Sequence, residues 1–171
     1  MAKTRAKRSR HDRFLNLAKG IAFQGVLQGA CLRRVYGAVA VSPAGKVVGS
    51  GRTGAPRGER ACGSIGWCWR AEHGVPSGQR YETCRSVHAE MNAMLRAGKR
   101  AKGSTVYLIG LDAGMWTPVA TVPCALCARV MINSGVAKVV IGGTTGYAVV
   151  TPRRALRIRE AEFGRAGRGK P

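Results

Sequence analysis

Hydrophobic residues first recur at helical spacing at Phe14, Leu17, Ala18 and Ile21, which predicts an amphipathic helix over roughly 13–28. Val35 to Val41 is a small and β-branched run that suits a buried strand. Pro43-Ala44-Gly45 then reads as a turn, and Lys46 to Ser50 returns as a second strand to complete a hairpin. Periodicity disappears over residues 51–83, which are dense in Gly, Pro and Arg and read as a long loop with a short helix near Trp67–Glu72. A loop of that length in a compact domain is usually functional or pinned by something. Ser86 is placed to cap a helix that runs through His88 to about Ala97 and closes at Gly98. Thr105 to Gly110 predicts a strand and 111–122 a second loop. Pro123 opens a helix through Asn133, stopped by Ser134-Gly135. Ala137 to Ile141 is the last predicted strand, and Pro152 to about Phe163 a final helix with a basic outer face. Helices interleaved with strands predict an α/β class with a sheet covered on both faces.

Length and charge refine this picture. The 171 residues fit one domain, expected over 13–163, with basic tails at 1–12 and 164–171 expected to be disordered. No run of about 18 apolar residues predicts a membrane span, and no apolar signal region follows the basic N-terminus. The expected address is the cytoplasm, with no membrane partner. Six cysteines in a reducing compartment suggest metal binding or packing before disulfides. Net charge is +21, and residues outside the two termini still carry a large excess of bases over acids. An anionic partner fits this balance, whether a nucleotide phosphate or a nucleic acid. A compositional bias toward Arg, Gly and Ala accounts for the terminal charge equally well.

Two short stretches carry chemistry. His88-Ala89-Glu90 gives H-x-E, and Pro123-Cys124-Ala125-Leu126-Cys127 gives P-C-x-x-C. Together and in this order they form the signature of zinc-dependent deaminases. His88, Cys124 and Cys127 offer three ligands and leave the fourth tetrahedral position open, as catalytic zinc requires. Cys124 and Cys127 are three apart at a predicted helix start, so they share one face where the helix dipole favours thiolates. Zinc lowers the pKa of its water toward ~7. Glu90, two residues beyond His88, is placed to move protons to the ring nitrogen and the leaving ammonia. A structural zinc usually has four protein ligands, and a redox C-x-x-C needs no upstream H-x-E. The pair of motifs therefore favours the deaminase reading.

The flanking residues add a resemblance. His88 to Leu95 (HAEMNAML) and residues 123–141 (PCALCARVMINSGVAKVVI) resemble the two zinc helices of the deoxycytidylate (dCMP) deaminase family, within the cytidine deaminase-like superfamily. Cys31 to Arg34 with Gly37-Ala38 resembles the family's first strand. Gly49-Ser50-Gly51 with Gly54 to Gly58 resembles its glycine-rich turn, and Ser77-Gly78 and Tyr81 to Val87 continue the match, over about residues 14–150. The resemblance implies a three-layer αβα fold with a mixed central sheet. It implies Zn2+-dependent conversion of dCMP to dUMP in pyrimidine deoxynucleotide metabolism, and a homo-oligomer, in many members a hexamer. It further implies control by dCTP and dTTP, with Mg2+ accompanying the triphosphate. Arg52-Thr53 replace the family's Tyr-Asn pair, of which the Asn contacts the sugar. Tyr36 stands where a valine is usual, and Ala61 where a histidine is frequent.

Substrate contacts are expected from Arg33, Arg34, Thr53, Ala89 and Tyr147, with Tyr147 closing the base pocket. Arg52 and Arg57 are further bases near the predicted mouth. Cys31, Cys62, Cys68 and Cys84 are candidates for a second, structural zinc that would pin the long loop, as in some relatives, or else are buried free thiols. His73 and Glu72 read as solvated surface, Trp67, Trp69 and Trp116 as packing residues, and Asn92 as a helix contact or a catalytic one. The leading function is a nucleotide deaminase. Its rival is a deaminase acting on cytosine or adenine in single-stranded DNA or RNA, which the charge supports and the scarcity of clustered aromatics opposes. A nucleic-acid-binding module with an inert metal site is disfavoured by the intact Glu90.

Overall fold

The computed structural model describes residues 2–76, 78–119 and 122–166. A long helix α1 (Ala2–Leu27) leads into a hairpin of β1 (Arg34–Val41) and β2 (Val47–Arg52). Two one-turn helices, α2 (Cys62–Ile65) and α3 (Trp69–Glu72), and a 3-10 turn at Tyr81–Thr83 occupy the predicted long loop. Then follow α4 (Ala89–Ala97), β3 (Thr105–Asp112), the short β4 (Pro118–Val119), α5 (Ala125–Asn133), β5 (Lys138–Gly142), β6 (Tyr147–Val150) and α6 (Pro152–Ala166). The main path of the sheet is β2-β1-β3-β5-β6, with β4 added to the far end of β3. Only β3 and β5 run parallel; β1–β2, β1–β3, β3–β4 and β5–β6 are antiparallel. The sheet is therefore mixed, as expected.

Strand alternation sorts the core into two layers. Val39 and Val41 of β1, Tyr107, Ile109 and Leu111 of β3 and Val140 of β5 pack on Phe14, Leu15, Ala18 and Ala22 of α1. Ala38 and Ala40, Val106 and Leu108, and Val139 and Ile141 face the other way, onto Ala89, Ala93, Met94 and Ala97 of α4 and Met131 of α5. The result is an αβα sandwich. α6 packs on α5, and Arg159 donates from Nε to the Pro123 carbonyl at 3.3 Å and from Nη2 to that of Val122. The last helix thus holds the segment that leads into Cys124.

Two glycines let α4 lie directly on β2. A Cβ at Gly51 would meet the Ala89 carbonyl, the Ala93 amide and the Asn92 side chain, and one at Gly49 would meet the backbone of Ala93 and Ala97. Asn92 Nδ2 also donates to the Arg52 carbonyl at 2.9 Å. Gly54 and Val87 exchange backbone hydrogen bonds of 3.2 and 2.8 Å, which tie the end of β2 to the residue before His88. Residues that looked like a turn in the sequence thus seat the helix that carries His88.

Several expectations are corrected. α1 begins at Ala2, so residues 2–12 continue the helix where a disordered tail was expected. No Gly or Pro interrupts residues 2–19, and Ala, Lys and Arg are good helix formers. α6 runs to Ala166, into the expected C-terminal tail, whose remaining residues 167–171 lie outside the described residues. Ser86 does not cap α4. His88 is the N-cap, while Ser86 is buried and donates to the Ala30 carbonyl at 3.5 Å. β6 was not anticipated: its four residues follow the turn of 143–146 and pair with β5 at the sheet edge. Trp67 and Trp116 are half-exposed, not packed in the core. Among the described residues, no helix is long and apolar enough to cross a membrane.

Candidate metal centre and active site

The centre forms where the N-termini of α4 and α5 meet. His88 and Cys124 are the N-caps of the two helices, both in extended conformation, with φ −73° and ψ 152° for His88 and φ −66° and ψ 163° for Cys124. An extended N-cap directs its side chain across the helix end instead of along it. His88 Nδ1 lies 3.4 Å from the Sγ of Cys124 and 3.4 Å from that of Cys127. These three ligand atoms all fall within 4.8 Å of one another, and among the described residues no other group of three His, Cys, Asp or Glu side chains does so. Zn–N bonds of roughly 2.0–2.1 Å and Zn–S bonds of about 2.3 Å at tetrahedral angles give N···S edges of about 3.5 Å. The residues therefore fit zinc, and the spacing selects Nδ1 as the ligating nitrogen.

Electrostatics prepare the set for a cation. Cys124 accepts the amide hydrogen of Cys127 at 3.4 Å. Hydrogen bonding with the Cys127 thiol, against the opposing effect of burial and with help from His88, brings the Cys124 thiol down to about 4. The same bond, with burial, pushes Cys127 well up. Burial opposes charge on His88, but hydrogen bonds with Cys124 and Cys84 outweigh it and raise the imidazole to about 11. The centre thus favours the thiolate form at Cys124, the form in which cysteine ligates a metal. Glu90, on the first turn of α4, is buried beside Cys127, and that burial raises its carboxyl above the ordinary range despite the nearby His88. Such a group holds a proton more readily at neutral pH.

A cavity of about 420 Å³ opens beside His88, within the range of small-ligand sites. Arg33, Arg34 and Thr53 line it, as do Tyr36 and all four remaining cysteines. Thr53 is buried, and its Oγ1 accepts the Tyr36 amide hydrogen at 3.0 Å. Ala89 is buried as the first residue of α4. Tyr147 is not brought to His88. It packs on the α1 side, edge-on to His11 at 5.0 Å, and lines a separate cavity with Arg34. β6 explains this: pairing Tyr147 with Gly142 fixes its face of the sheet. Arg52 and Arg57 line a third cavity with Arg60 and Arg96. Asn92 is a helix contact, through Arg52, and His73 and Glu72 lie at the surface.

Three residues near the centre were not singled out as active-site groups from sequence. Cys84 appeared there only as a ligand for a second metal, yet it hydrogen-bonds the His88 imidazole; burial raises its thiol, and that bond, together with the Ser86 backbone and the charges of His88 and Arg70, lowers it. Tyr81 meets the His88 ring edge-to-face at 4.6 Å. Arg70 stacks over Tyr81 at 4.4 Å. Proximity in sequence to His88 was the available signal for Cys84 and Tyr81. Nothing local distinguished Arg70 from the other arginines.

Residues 8–143 match the model of the cytidine and deoxycytidylate deaminase zinc-binding region. The chain belongs to this family. Among curated relatives, it is 32% identical over 110 residues to the deoxycytidylate deaminase of Schizosaccharomyces pombe and 31% identical over 110 residues to that of Saccharomyces cerevisiae. Each match covers 64% of this chain, which aligns with 31% of the length of either relative. The apo crystal structure of dCMP deaminase from cyanophage S-TIM5 superposes with a TM-score of 0.51 at 20% identity, over 86% of this chain and 92% of that one. That likeness supports the fold, and the family model supports zinc at the His88 centre.

Proposed function

We propose that this chain is a zinc-dependent hydrolytic deaminase that converts dCMP to dUMP in pyrimidine deoxynucleotide metabolism. The observation that carries the reading is the convergence of His88, Cys124 and Cys127 within 4.8 Å beside a buried Glu90. In the reaction, water adds its oxygen to C4 of cytosine, the C4–N4 bond breaks, and ammonia leaves. His88, Cys124 and Cys127 would hold the zinc, which when bound would supply water activated at neutral pH. Glu90, buried and raised, would take one proton from the water and pass it to N3, then take the proton left on the added oxygen and pass it to the departing amine, so that both hydrogens of the water are accounted for. Thr53 lines the cavity beside His88 and would orient the nucleoside, Arg33 and Arg34 bring positive charge to it, and Ala89, buried at the start of α4, would contribute through its backbone. The two curated relatives named as deoxycytidylate deaminases support dCMP as the substrate.

A second reading, deamination of cytosine or adenine in single-stranded DNA or RNA, is favoured by the net charge of +21 and by the cavity that Arg96 of α4 lines with Arg52, Arg57 and Arg60. That cavity would equally take a triphosphate effector with its Mg2+. The test offers zinc-loaded protein dCMP, dCTP, deoxycytidine and a cytosine-containing single-stranded oligonucleotide in parallel, and measures ammonia. Turnover of dCMP supports the first reading; turnover of the oligonucleotide alone replaces it with the second. Stimulation of dCMP turnover by added dCTP and Mg2+ would support the effector.

Self-association, a hexamer by resemblance, is supported by the exposed aromatic pair Phe23 and Trp116, whose rings meet edge-to-face at 5.3 Å, and sedimentation tests it. A second zinc on Cys31, Cys62, Cys68 and Cys84 is the weaker of the two metal assignments. These cysteines share one cavity, but no three of their sulfurs lie at ligand distance. Metal analysis giving one zinc per chain would end it.

A further inference from the structure

α6 lies outside residues 8–143, the stretch that matches the family model, so what it adds to the centre is not contained in the family's motifs. Pro152, Ala155 and Arg159 recur on one face of this helix. Pro152 and Ala155 are buried, and the Arg159 side chain is 15% exposed, whereas Arg153, Arg154 and Arg157 are exposed. An arginine on the packed face of an otherwise basic surface helix is the informative exception. Its Nε donates to the Pro123 carbonyl at 3.3 Å, its Nη2 to the Val122 carbonyl, and its Nη1 to Glu162 Oε2 at 2.7 Å. The ion pair holds the guanidinium in place from within α6. Pro123 is fully buried and has no amide hydrogen, so its carbonyl is its one backbone hydrogen-bonding group. That carbonyl shares a rigid planar peptide with the Cys124 nitrogen. Fixing it fixes the plane from which Cys124 projects, and Cys124 Sγ stands 3.4 Å from His88 Nδ1. The same guanidinium borders the His88 side. A Cβ at Gly78 would lie 3.7 Å from Arg159 Nη1. The Gly78 amide donates to the Tyr81 hydroxyl at 3.0 Å, and the Tyr81 ring meets that of His88 at 4.6 Å.

We infer that Arg159 is a positioning residue of the metal centre: it aligns the Pro123–Cys124 peptide against the wall that carries Tyr81, so that the ligand set of His88, Cys124 and Cys127 is complete only with α6 in place. The inference rests on zinc at the His88 centre and not on which compound is deaminated. Groups that orient a ligand from behind tune metal affinity although they never touch the ion. Here the arginine acts through the backbone that delivers the ligand. Cys127 follows Cys124, because Cys124 is the N-cap of α5 and its Sγ accepts the Cys127 amide hydrogen at 3.4 Å. An apolar side chain of similar length at position 159 would fill the space and leave the Val122 and Pro123 carbonyls without this donor.

The test uses the full chain as wild type, Arg159→Met, Arg159→Lys and Ala155→Gly. Each is titrated with Zn2+ against a chromogenic chelator and, separately, with Co2+, whose thiolate-to-cobalt charge-transfer band reads the sulfur geometry without turnover. Urea unfolding of the metal-free proteins reads stability. Arg159→Met is expected to bind zinc roughly 10- to 100-fold more weakly, with a weakened charge-transfer band. Arg159→Lys keeps the charge and a shorter donor, and is expected to recover part of both. Ala155→Gly loosens α6 through backbone freedom with every Arg159 donor retained, and is expected to lose stability while both metal readouts stay at the wild-type level. Zinc affinity within about twofold of wild type in Arg159→Met overturns the inference. So does an equal loss of affinity in Ala155→Gly, because Arg159 then only anchors α6. If Arg159→Met does not fold, Arg159→Lys decides: weaker zinc binding at unchanged metal-free stability supports the inference, and wild-type binding overturns it. Wild-type protein that binds neither ion fails the metal assignment and the inference with it. Metal binding as expected with no turnover of dCMP leaves the inference standing and fails the dCMP reading alone.

Discussion

Replacing Gly51 with alanine would disturb the metal centre without touching any of its side chains. The added Cβ would lie 2.5 Å from the Ala93 amide nitrogen and 2.6 Å from the Asn92 Cβ, and would also overlap the Ala89 carbonyl oxygen. Favourable contact between such atoms begins at about 3.5 Å, so α4 must lift from β2 by roughly 1 Å. The obstructing atoms belong to helix backbone and cannot rotate aside. Overpacking of this kind costs about 1–3 kcal/mol. His88 and Glu90 sit on the lifted end, and a displacement of roughly 1 Å at reacting groups costs about 100-fold in rate. Gly37→Ala is the matched control. Its Cβ would meet the Ala18 carbonyl and lie 2.7 Å from the Ala22 amide nitrogen, a comparable clash on the opposite, α1 face. Urea unfolding of the zinc-loaded proteins is expected to show similar destabilisation in both, while kcat/KM falls far more in Gly51→Ala. Equal losses of turnover at equal losses of stability would refute the view that the seat of α4 on β2 positions the centre.

Other perturbations separate the remaining parts of the account. Cys127→Ser replaces a fully buried ligand and is expected to reduce bound zinc below one per chain, as read by metal analysis after dialysis. Chelation of wild-type protein is expected to lower Tm, and zinc at roughly 1,000 times its Kd should restore about 4 kcal/mol; a Tm indifferent to zinc would contradict a folded-state site. Asn92→Ala removes the donor to the Arg52 carbonyl and is expected to cost about 1 kcal/mol by denaturant midpoint, with zinc content retained. Amide hydrogens of Met115 and Gly114 hold the Asp112 carboxyl below its ordinary range. A folded pKa below the unfolded one means stability that is present above the unfolded value and lost as pH falls through the folded one. Asp112→Ala is therefore expected to flatten the acid-side decline in stability over that window, measured by unfolding across a pH series.

Much of the chemistry was legible because it is local in sequence. H-x-E and P-C-x-x-C each place their groups on one helix start, and the start signals at Ser86 and Pro123 predicted that His88, Glu90, Cys124 and Cys127 sit near helix N-termini, although the cap of α4 is His88 and not Ser86. Their convergence needed the fold: β3 carries the chain from the end of α4 back to the end of the sheet where α5 starts. β6 was illegible because Tyr147 to Val150 is short and half-exposed at a sheet edge, and its missing pairing misplaced Tyr147. The first helix was underestimated at its N-terminus because Lys and Arg were read as a solvated tail, although their backbone propensity favours helix. Arg70 was invisible for a different reason. Burial of one arginine among many is a tertiary property, and no spacing rule marks it.

The central claim is that Glu90 moves protons at a zinc centre it does not build. The most direct test measures zinc content and ammonia release from dCMP in wild-type protein and in Glu90→Gln. The account predicts one zinc at the His88 centre in both proteins, with turnover in the wild type and a loss of at least ~100-fold in the variant. Undiminished turnover in Glu90→Gln, or zinc lost together with the carboxylate, would contradict it.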